Sequence, residues 1–318
     1  MKIIASTGHP DIAMVYVMDF DGSLIECVEA VQPPRPREDK WVLMISTLFG
    51  CPIACQMCDA GGHYRGKLSE SEMFAQIDYL IRQRYPDGFV PSKQFKIQFA
   101  RMGEPALNPA VLDLLESLPG KINAPGLMPS VSTIAPHGTN GFFERLTEIK
   151  NRVYPDGNFQ FQFSVHTTDQ SLRDVLIPVK KWDFQKMAAF GDKFYQPGDR
   201  KITLNFALAK NSPIQSDLLL DYFDPDRYLI KITPLNPTYK AESTGLKSYI
   251  DPVREKDNYP VFDELSAVGY QVILSIGEQE ENRIGSNCGQ YVQKHLMAQS
   301  EFSAGYTYQV ENFVFKPE

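Results

Sequence analysis

The sequence predicts an α/β fold: a partial open (βα)6 barrel with a short N-terminal β extension and an extra C-terminal strand. Three observations carry that expectation. After residue 40, strand-like and helix-like stretches alternate, which implies parallel strands joined by right-handed crossovers. Six such units fit before residue 270 with one strand left over, too few to close an eight-fold barrel. Three cysteines, Cys51, Cys55 and Cys58, follow the first of these strands directly, at the end of the barrel where functional residues collect.

The elements follow in order. "WVLMIST" (41–47) alternates as a strand. Ser69 and Glu72 form a capping-box pattern ahead of the amphipathic "MFAQIDYLIRQRY". "FKIQFA" (95–100) is a strand, and "PAVLDLLESL" (109–118) a helix opened by proline. "GLMPSVST" (126–133) and "GFFERLTEIKNRV" (141–153) make the third pair. "FQFQFSVH" (159–166) is followed by helical material over 170–192. "KITLNFAL" (201–208) pairs with the helix "PIQSDLLLDYF" (213–223), and "RYLIKITPLN" (227–236) with "YPVFDELSAVG" (259–269). "YQVILSIG" (270–277) is the extra strand. The domains expected are residues 1–40, an extension with short strands ending in the proline-rich loop "QPPRPREDK"; residues 41–240, the barrel core; and residues 241–318, a C-terminal helix and strand segment carrying Cys288.

Bulk properties narrow the function. The 318 residues are 43% hydrophobic and 22% charged, as in a soluble globular protein. No run approaches the length of a transmembrane helix. Gly8, Pro10 and Asp11 break the start, so no signal peptide is read and a cytoplasmic location is expected. Five cysteines in a chain this long make no disulfide framework. The net charge of −7 argues against a large nucleic acid as partner, although a local basic cleft can sit on an acidic protein.

The spacing Cys51-x3-Cys55-x2-Cys58 admits two chemistries. A structural zinc wants four ligands, with His63 as the available fourth. A [4Fe–4S] cluster takes three thiolates on three irons and leaves the last iron open for a small-molecule ligand. That spacing, placed after the first barrel strand, resembles the radical S-adenosylmethionine (SAM) superfamily. In that family the open iron binds the amino and carboxylate groups of SAM, and an electron from the cluster cleaves it to a 5′-deoxyadenosyl radical. The family's aromatic residue before the third cysteine is Met57 here.

Further stretches, from about residue 25 to residue 292, resemble one branch: the RlmN/Cfr family of radical SAM methyltransferases acting on adenine carbons of RNA. "RMGEPALN" (101–108) is similar to its glycine-glutamate-proline segment, which implies Gly103 and Glu104 at the SAM amino group. "VSTIAP" (131–136) implies Ser132 at SAM, and "FSVHTTDQSLRDVLIP" (163–178) implies Ser164 and His166. "ITPLNP" (232–237) implies Asn236 near the adenosine. "SNCGQYV" (286–292) resembles the loop whose cysteine first accepts a methyl group, implying that role for Cys288. "VEAV" (28–31) resembles the segment with the general base, implying Glu29. Each has a plainer reading: a loop acid for Glu104, a core histidine for His166, an Asn-Pro turn for Asn236, a buried thiol for Cys288 and a strand acid for Glu29.

The resemblance also breaks. The RNA-methylating members carry a second catalytic cysteine seven residues before the first cluster cysteine, and this chain has Met44 there. The "VEAV" match begins near the start, without the RNA-binding domain of the RlmN type ahead of it. Cys27, two residues before Glu29, is the candidate replacement thiol. The resemblance thus implies a [4Fe–4S] cluster and SAM as cofactors, and an electron donor such as flavodoxin or ferredoxin. It implies transfer of a methyl or methylene group through Cys288 to an unsaturated carbon of a small molecule or small RNA. Radical hydrogen abstraction without methyl transfer, and an iron–sulfur redox sensor, are the alternatives.

Overall fold

The computed structural model describes residues 1–251, 259–277, 279–287, 291–292 and 308–312. An antiparallel meander opens the chain: β1 (Lys2–His9), β2 (Ala13–Phe20) and β3 (Ser23–Val31). β3 then pairs antiparallel with β4 (Lys40–Ile45). A hairpin of β5 (Leu48–Cys51) and β6 (Gly62–Lys67) follows, then α1 (Glu70–Arg84), which starts with the full Ser69–Glu72 capping box expected from the sequence.

Regular alternation comes next: β7 (Gln94–Phe99), α2 (Ala110–Lys121), β8 (Leu127–Thr133), α3 (Asn140–Val153) and β9 (Gln160–Ser164). The helical stretch expected over 170–192 is two helices, α4 (Gln170–Leu176) and α5 (Phe184–Phe194), each opened by an aspartate whose side chain accepts from a first-turn amide. Then come β10 (Ile202–Leu208), α6 (Ser216–Tyr222), β11 (Tyr228–Pro234), α7 (Tyr239–Ser243), α8 (Pro260–Ala267), β12 (Gln271–Leu274), α9 (Gln279–Ile284) and the short β13 (Glu311–Asn312).

One eleven-stranded sheet holds all strands except β5 and β6, in the order β12-β11-β10-β9-β8-β7-β4-β3-β2-β1-β13. The seven strands from β4 to β12 are parallel, as the alternation predicts. The N-terminal strands continue the same sheet through the β3–β4 ladder. Among the described residues the sheet stays open, ending at β12 and β13.

The sheet has two unlike faces. Trp41, Leu43, Ile45, Phe95, Ile97, Phe99, Ile230 and Ile232 are fully buried. Between them, on the opposite face by strand alternation, stand Met44, Lys96, Gln98, Ser132, Gln162, Ser164 and Lys231. The apolar face lies under the helices. The inner face is polar, as befits a surface that surrounds a polar ligand and not a hydrophobic core.

Candidate functional site

The exits of β4 and β7 are stitched together. Thr47 and Leu48 donate their amides to the Met102 carbonyl at 2.8 and 3.2 Å. The buried Asn108 amide donates to the carbonyls of Thr47 and Leu68 at 2.8 and 2.7 Å. Gly103 makes the approach possible. Its φ is +100°, and a Cβ there would stand 2.8 Å from the Leu48 nitrogen and 2.6 Å from the Leu48 Cβ. This brings the Gly103–Glu104 segment against the strand that ends in Cys51.

The cysteine loop hangs between β5 and β6. Backbone amides of Ile53, Ala54 and Glu104 act on the Cys51 sulfur and favour its thiolate, while burial pushes the thiol up to about 11. Burial also raises Cys55 well above the ordinary thiol range; next in effect come Cys58, Cys51 and Glu104. The three sulfurs and the Glu104 carboxyl thus share one neighbourhood. Among the described residues no three His, Cys, Asp or Glu side chains converge on a single metal ion. A four-iron cluster asks for a different geometry, with each thiolate on its own iron. Desolvated thiols with amides aimed at the sulfur suit ligands that a cationic cluster deprotonates.

Distant segments brace the loop. Gln56 donates its amide to Leu176 at the end of α4 at 2.9 Å. Thr238 donates its hydroxyl to the Met57 carbonyl at 2.9 Å, and Asp59 accepts the Tyr239 and Lys240 amides at the start of α7 at 3.2 and 2.8 Å. Asp59 was missed from the sequence; an acid one residue past a cysteine carries no signal of its partner.

Glu104 is buried. Its carboxylate accepts from the Thr133 hydroxyl, from the Ile134 amide at 3.0 Å and from the Ala106 amide at 3.0 Å. Burial pushes it up to about 7 against the pull of those donors, and no described cation pairs with it. His166 follows the end of β9 with φ +70°, in the left-handed region that histidine seldom adopts. The Ala207 amide donates to its Nδ1 at 3.1 Å. Burial, with Arg173 beyond, lowers it to about 4, so the ring is neutral at physiological pH and carries its proton on Nε2. Ser132 stands opposite Gln162, and Ser164 opposite Asn205, both half-buried on the inner face. Asn236 is half-buried two residues past β11. Glu104, Ser132, Ser164, His166 and Asn236 therefore all lie near C-terminal ends of parallel strands.

Glu29 does not join them. It lies on the helix side of β3, 2% exposed. Arg84 of α1 donates to both its oxygens at 2.6–3.0 Å, and Trp41 and Tyr16 each donate at 3.2 Å. Strand alternation turns Glu29 away from the inner face, where the resemblance implied a general base. Cys27 shares that outer face, fully buried with its thiol 3.8 Å from the Met18 sulfur. It faces away from the inner side on which Met44 stands.

The acid on the inner side of β3 is Glu26. It is fully buried and pairs with Arg101 at 2.6 Å. Arg101 also donates to the Ser286 and Gly285 carbonyls at 2.8 and 3.0 Å, and the Val292 amide donates to Glu26. Burial raises the Glu26 carboxyl, while Arg101 and the Val292 amide oppose that. Cys288 itself lies outside the described residues, but this ion pair holds both flanks of its loop. A cleft lined by Gly22, Phe49, Gly50, His63, Met102 and Val292 joins the cysteine hairpin to the same flank.

Comparison with known proteins comes to the same place. No family model matches the chain. It is 29% identical over 284 residues to a probable dual-specificity RNA methyltransferase RlmN from Desulfitobacterium hafniense, covering 85% of this chain and 72% of that one. A protein of the same description from Thermosynechococcus vestitus is 26% identical, covering 87% and 76%. The crystal structure of a radical SAM methyltransferase from Sphaerobacter thermophilus superposes with a TM-score of 0.68 at 20% identity, over 91% of this chain and 80% of that one. In sequence the chain is similar to proteins described as probable dual-specificity RNA methyltransferases RlmN, and it shares the fold of the Sphaerobacter radical SAM methyltransferase. No helix among the described residues is long and apolar enough to cross a membrane.

Proposed function

We propose that this chain is a radical SAM enzyme that passes a one-carbon group through Cys288 to an unsaturated carbon of its substrate. The observation that carries the reading is the shared neighbourhood of three cysteine thiols, Cys51 and Cys55 desolvated, and a buried carboxylate with no described cation beside it. Cys51, Cys55 and Cys58 would each hold one iron of a [4Fe–4S] cluster, and Glu104 would accept the amino group of SAM. With both bound, the site gains one-electron chemistry able to abstract hydrogen from an unactivated carbon.

The chain's own residues do the rest. Burial holds Glu104 near the neutral form, and an arriving ammonium restores its charge. Ser132, Ser164 and Asn236 offer hydroxyl and amide contacts along the strand ends, and neutral His166 offers its Nε2 proton. Cys288, as a thiolate, would take the sulfonium methyl of SAM by displacement, with S-adenosylhomocysteine as the leaving group. The Glu26–Arg101 pair fixes the two ends of its loop. A reducing cytoplasm with a flavodoxin-like or ferredoxin-like electron donor suits thiolate ligands.

For the substrate, the names of the relatives favour RNA, whereas a net charge of −7 favours a small molecule. We take the small molecule. Protein reconstituted without oxygen should bind about four irons and convert SAM to 5′-deoxyadenosine. Alanine at Cys51, Cys55 or Cys58 should abolish both. The Cys288 peptide should gain about 14 Da, one methylene, when the protein is made with SAM. Stable zinc in place of iron would overturn the cluster. Activity surviving Cys288→Ala would overturn transfer through that thiol.

A further inference from the structure

Deeper than Glu104, the inner face carries Lys96, which has no counter-charge among the described residues, and two polar side chains, Thr203 and Asn205, each with an unpartnered oxygen. Lys96 is the third residue of β7, between the fully buried Phe95 and Ile97 of the helix side. Strand alternation therefore points it inward, and the exposure it keeps is toward the barrel interior. Lys231 of β11 faces the same way between Ile230 and Ile232. The two strands are four steps apart in the sheet order, about 19 Å on a flat sheet. Yet Lys231 is the charge that acts most on Lys96, followed by Lys40 and Arg200. The sheet must curl until the two lysines approach across its interior. Among the described residues no carboxylate acts on Lys96, and burial with three cations holds its ammonium well below the usual lysine range.

A separate observation lies on β10. Thr203 and Asn205 are 1% and 9% exposed, and the Thr203 hydroxyl and the Asn205 side-chain oxygen are buried without any hydrogen-bond partner. Both stand on the inner face, between the buried Ile202, Leu204 and Phe206 of the helix side. Asn205 pairs in register with Lys231 on one side and Ser164 on the other. Buried polar atoms almost always have partners, so their absence within the chain points to a bound molecule. An enclosed lysine among cations asks for an anion, and an amide oxygen asks for a donor.

We propose that the interior around Lys96, Lys231, Thr203 and Asn205 binds the anionic end of the substrate. The substrate is then a small hydrophilic molecule with a carboxylate or phosphate beside hydroxyl or amine groups. Lys96 lies three residues before the end of β7, about 10 Å below the strand ends where SAM is expected. The word substrate rests on the reaction proposed above; binding of the anion needs neither cluster nor SAM.

The test uses cluster-free full-length protein at low salt, titrated by calorimetry with inorganic phosphate and, separately, with malonate. One of the two should bind saturably, at one site per chain. Affinity should fall at least about tenfold in Lys96→Gln, the loss of one charge-assisted contact, and return in Lys96→Arg. A preference for phosphate identifies a phosphate-bearing substrate, and a preference for malonate a carboxylate. In reductively methylated protein, the Lys96 methyl signal should also move as the anion saturates, which reads the site without any substitution. No saturable binding, equal binding by Lys96→Gln, an unmoved Lys96 signal, or binding only of RNA fragments would each overturn the proposal. Anion binding without SAM cleavage would instead overturn the reaction and leave this site standing.

Discussion

Two glutamates three residues apart on β3 face opposite ways, and their surroundings differ in kind. Glu29 looks toward the helices, where one arginine, one tryptophan and one tyrosine use up its acceptors. That network is closed. Glu26 looks inward and holds Arg101, whose remaining donors reach the carbonyls flanking Cys288. Across the sheet the difference is one of charge. Among the described residues the Thr203 hydroxyl and the Asn205 side-chain oxygen on the inner side have no partner, and no counter-charge acts on Glu104 or Lys96. The helix side also leaves single polar atoms such as the Tyr228 hydroxyl unpartnered, but Glu29 there is paired with Arg84. Ionisable groups held without counter-charge mark a face built for a ligand.

The sharpest way to break this contrast is at Arg101. Arg101→Ala leaves Glu26 buried and uncompensated, which should cost about 3–5 kcal/mol in unfolding free energy. The pair Glu26→Gln with Arg101→Met should recover most of that loss in a denaturant titration. It should not recover the hold on the segments that flank Cys288. Amides at 285–287 and 291–292 should exchange with solvent faster than in the parent protein, and methylation of Cys288 should fall. A double variant that methylates Cys288 at the parental rate would make the ion pair purely structural.

His166 gives the next effect. Its folded pKa is lowered to about 4, first by burial and then by Arg173, against about 6.5 when unfolded. The unfolded chain therefore binds the proton more readily. The contribution of the neutral ring is complete above pH 6.5 and is lost as pH falls toward 4, by up to about 3 kcal/mol. His166→Gln should flatten that limb of the stability curve. An unchanged acid limb would mean that the imidazole is not buried as described.

The sequence made much of this legible because the parallel half obeys simple periods. Strands β4, β7, β9 and β11 alternate buried and half-buried residues, and that period is readable in the letters. The meander is harder. Residues 25–30 of β3 are all buried, since one face meets α1 and the other meets Arg101 and the segment around Val292. With both faces covered, no period-2 pattern tells Glu26 from Glu29, and resemblance to a short "VEAV" stretch selected the outward acid. The β5–β6 hairpin was also hidden, because it is held by Thr47 and Leu48 bonding to Met102 fifty-odd positions on and not by its own composition. The cysteine spacing and Glu104 were legible because their chemistry lies in local motifs. Arg101 and Asp59 were not, because their partners are far away in sequence.

Glu29→Gln is the smallest effect and the most diagnostic. The substitution keeps an acceptor for only one of Tyr16 and Trp41, which donate to different oxygens, and removes the two-pronged charge pairing with Arg84. A charge-assisted hydrogen bond is worth about 1.5–3 kcal/mol, and Arg84 retains 23% side-chain exposure, so solvent screening should bring the loss toward the lower end. The unfolding free energy should fall by that amount. Since the carboxylate faces away from the inner surface, SAM cleavage and Cys288 methylation per folded molecule should be unchanged. A collapse of turnover with stability retained would put Glu29 at the reacting carbon after all, and the two faces of β3 would have to be exchanged.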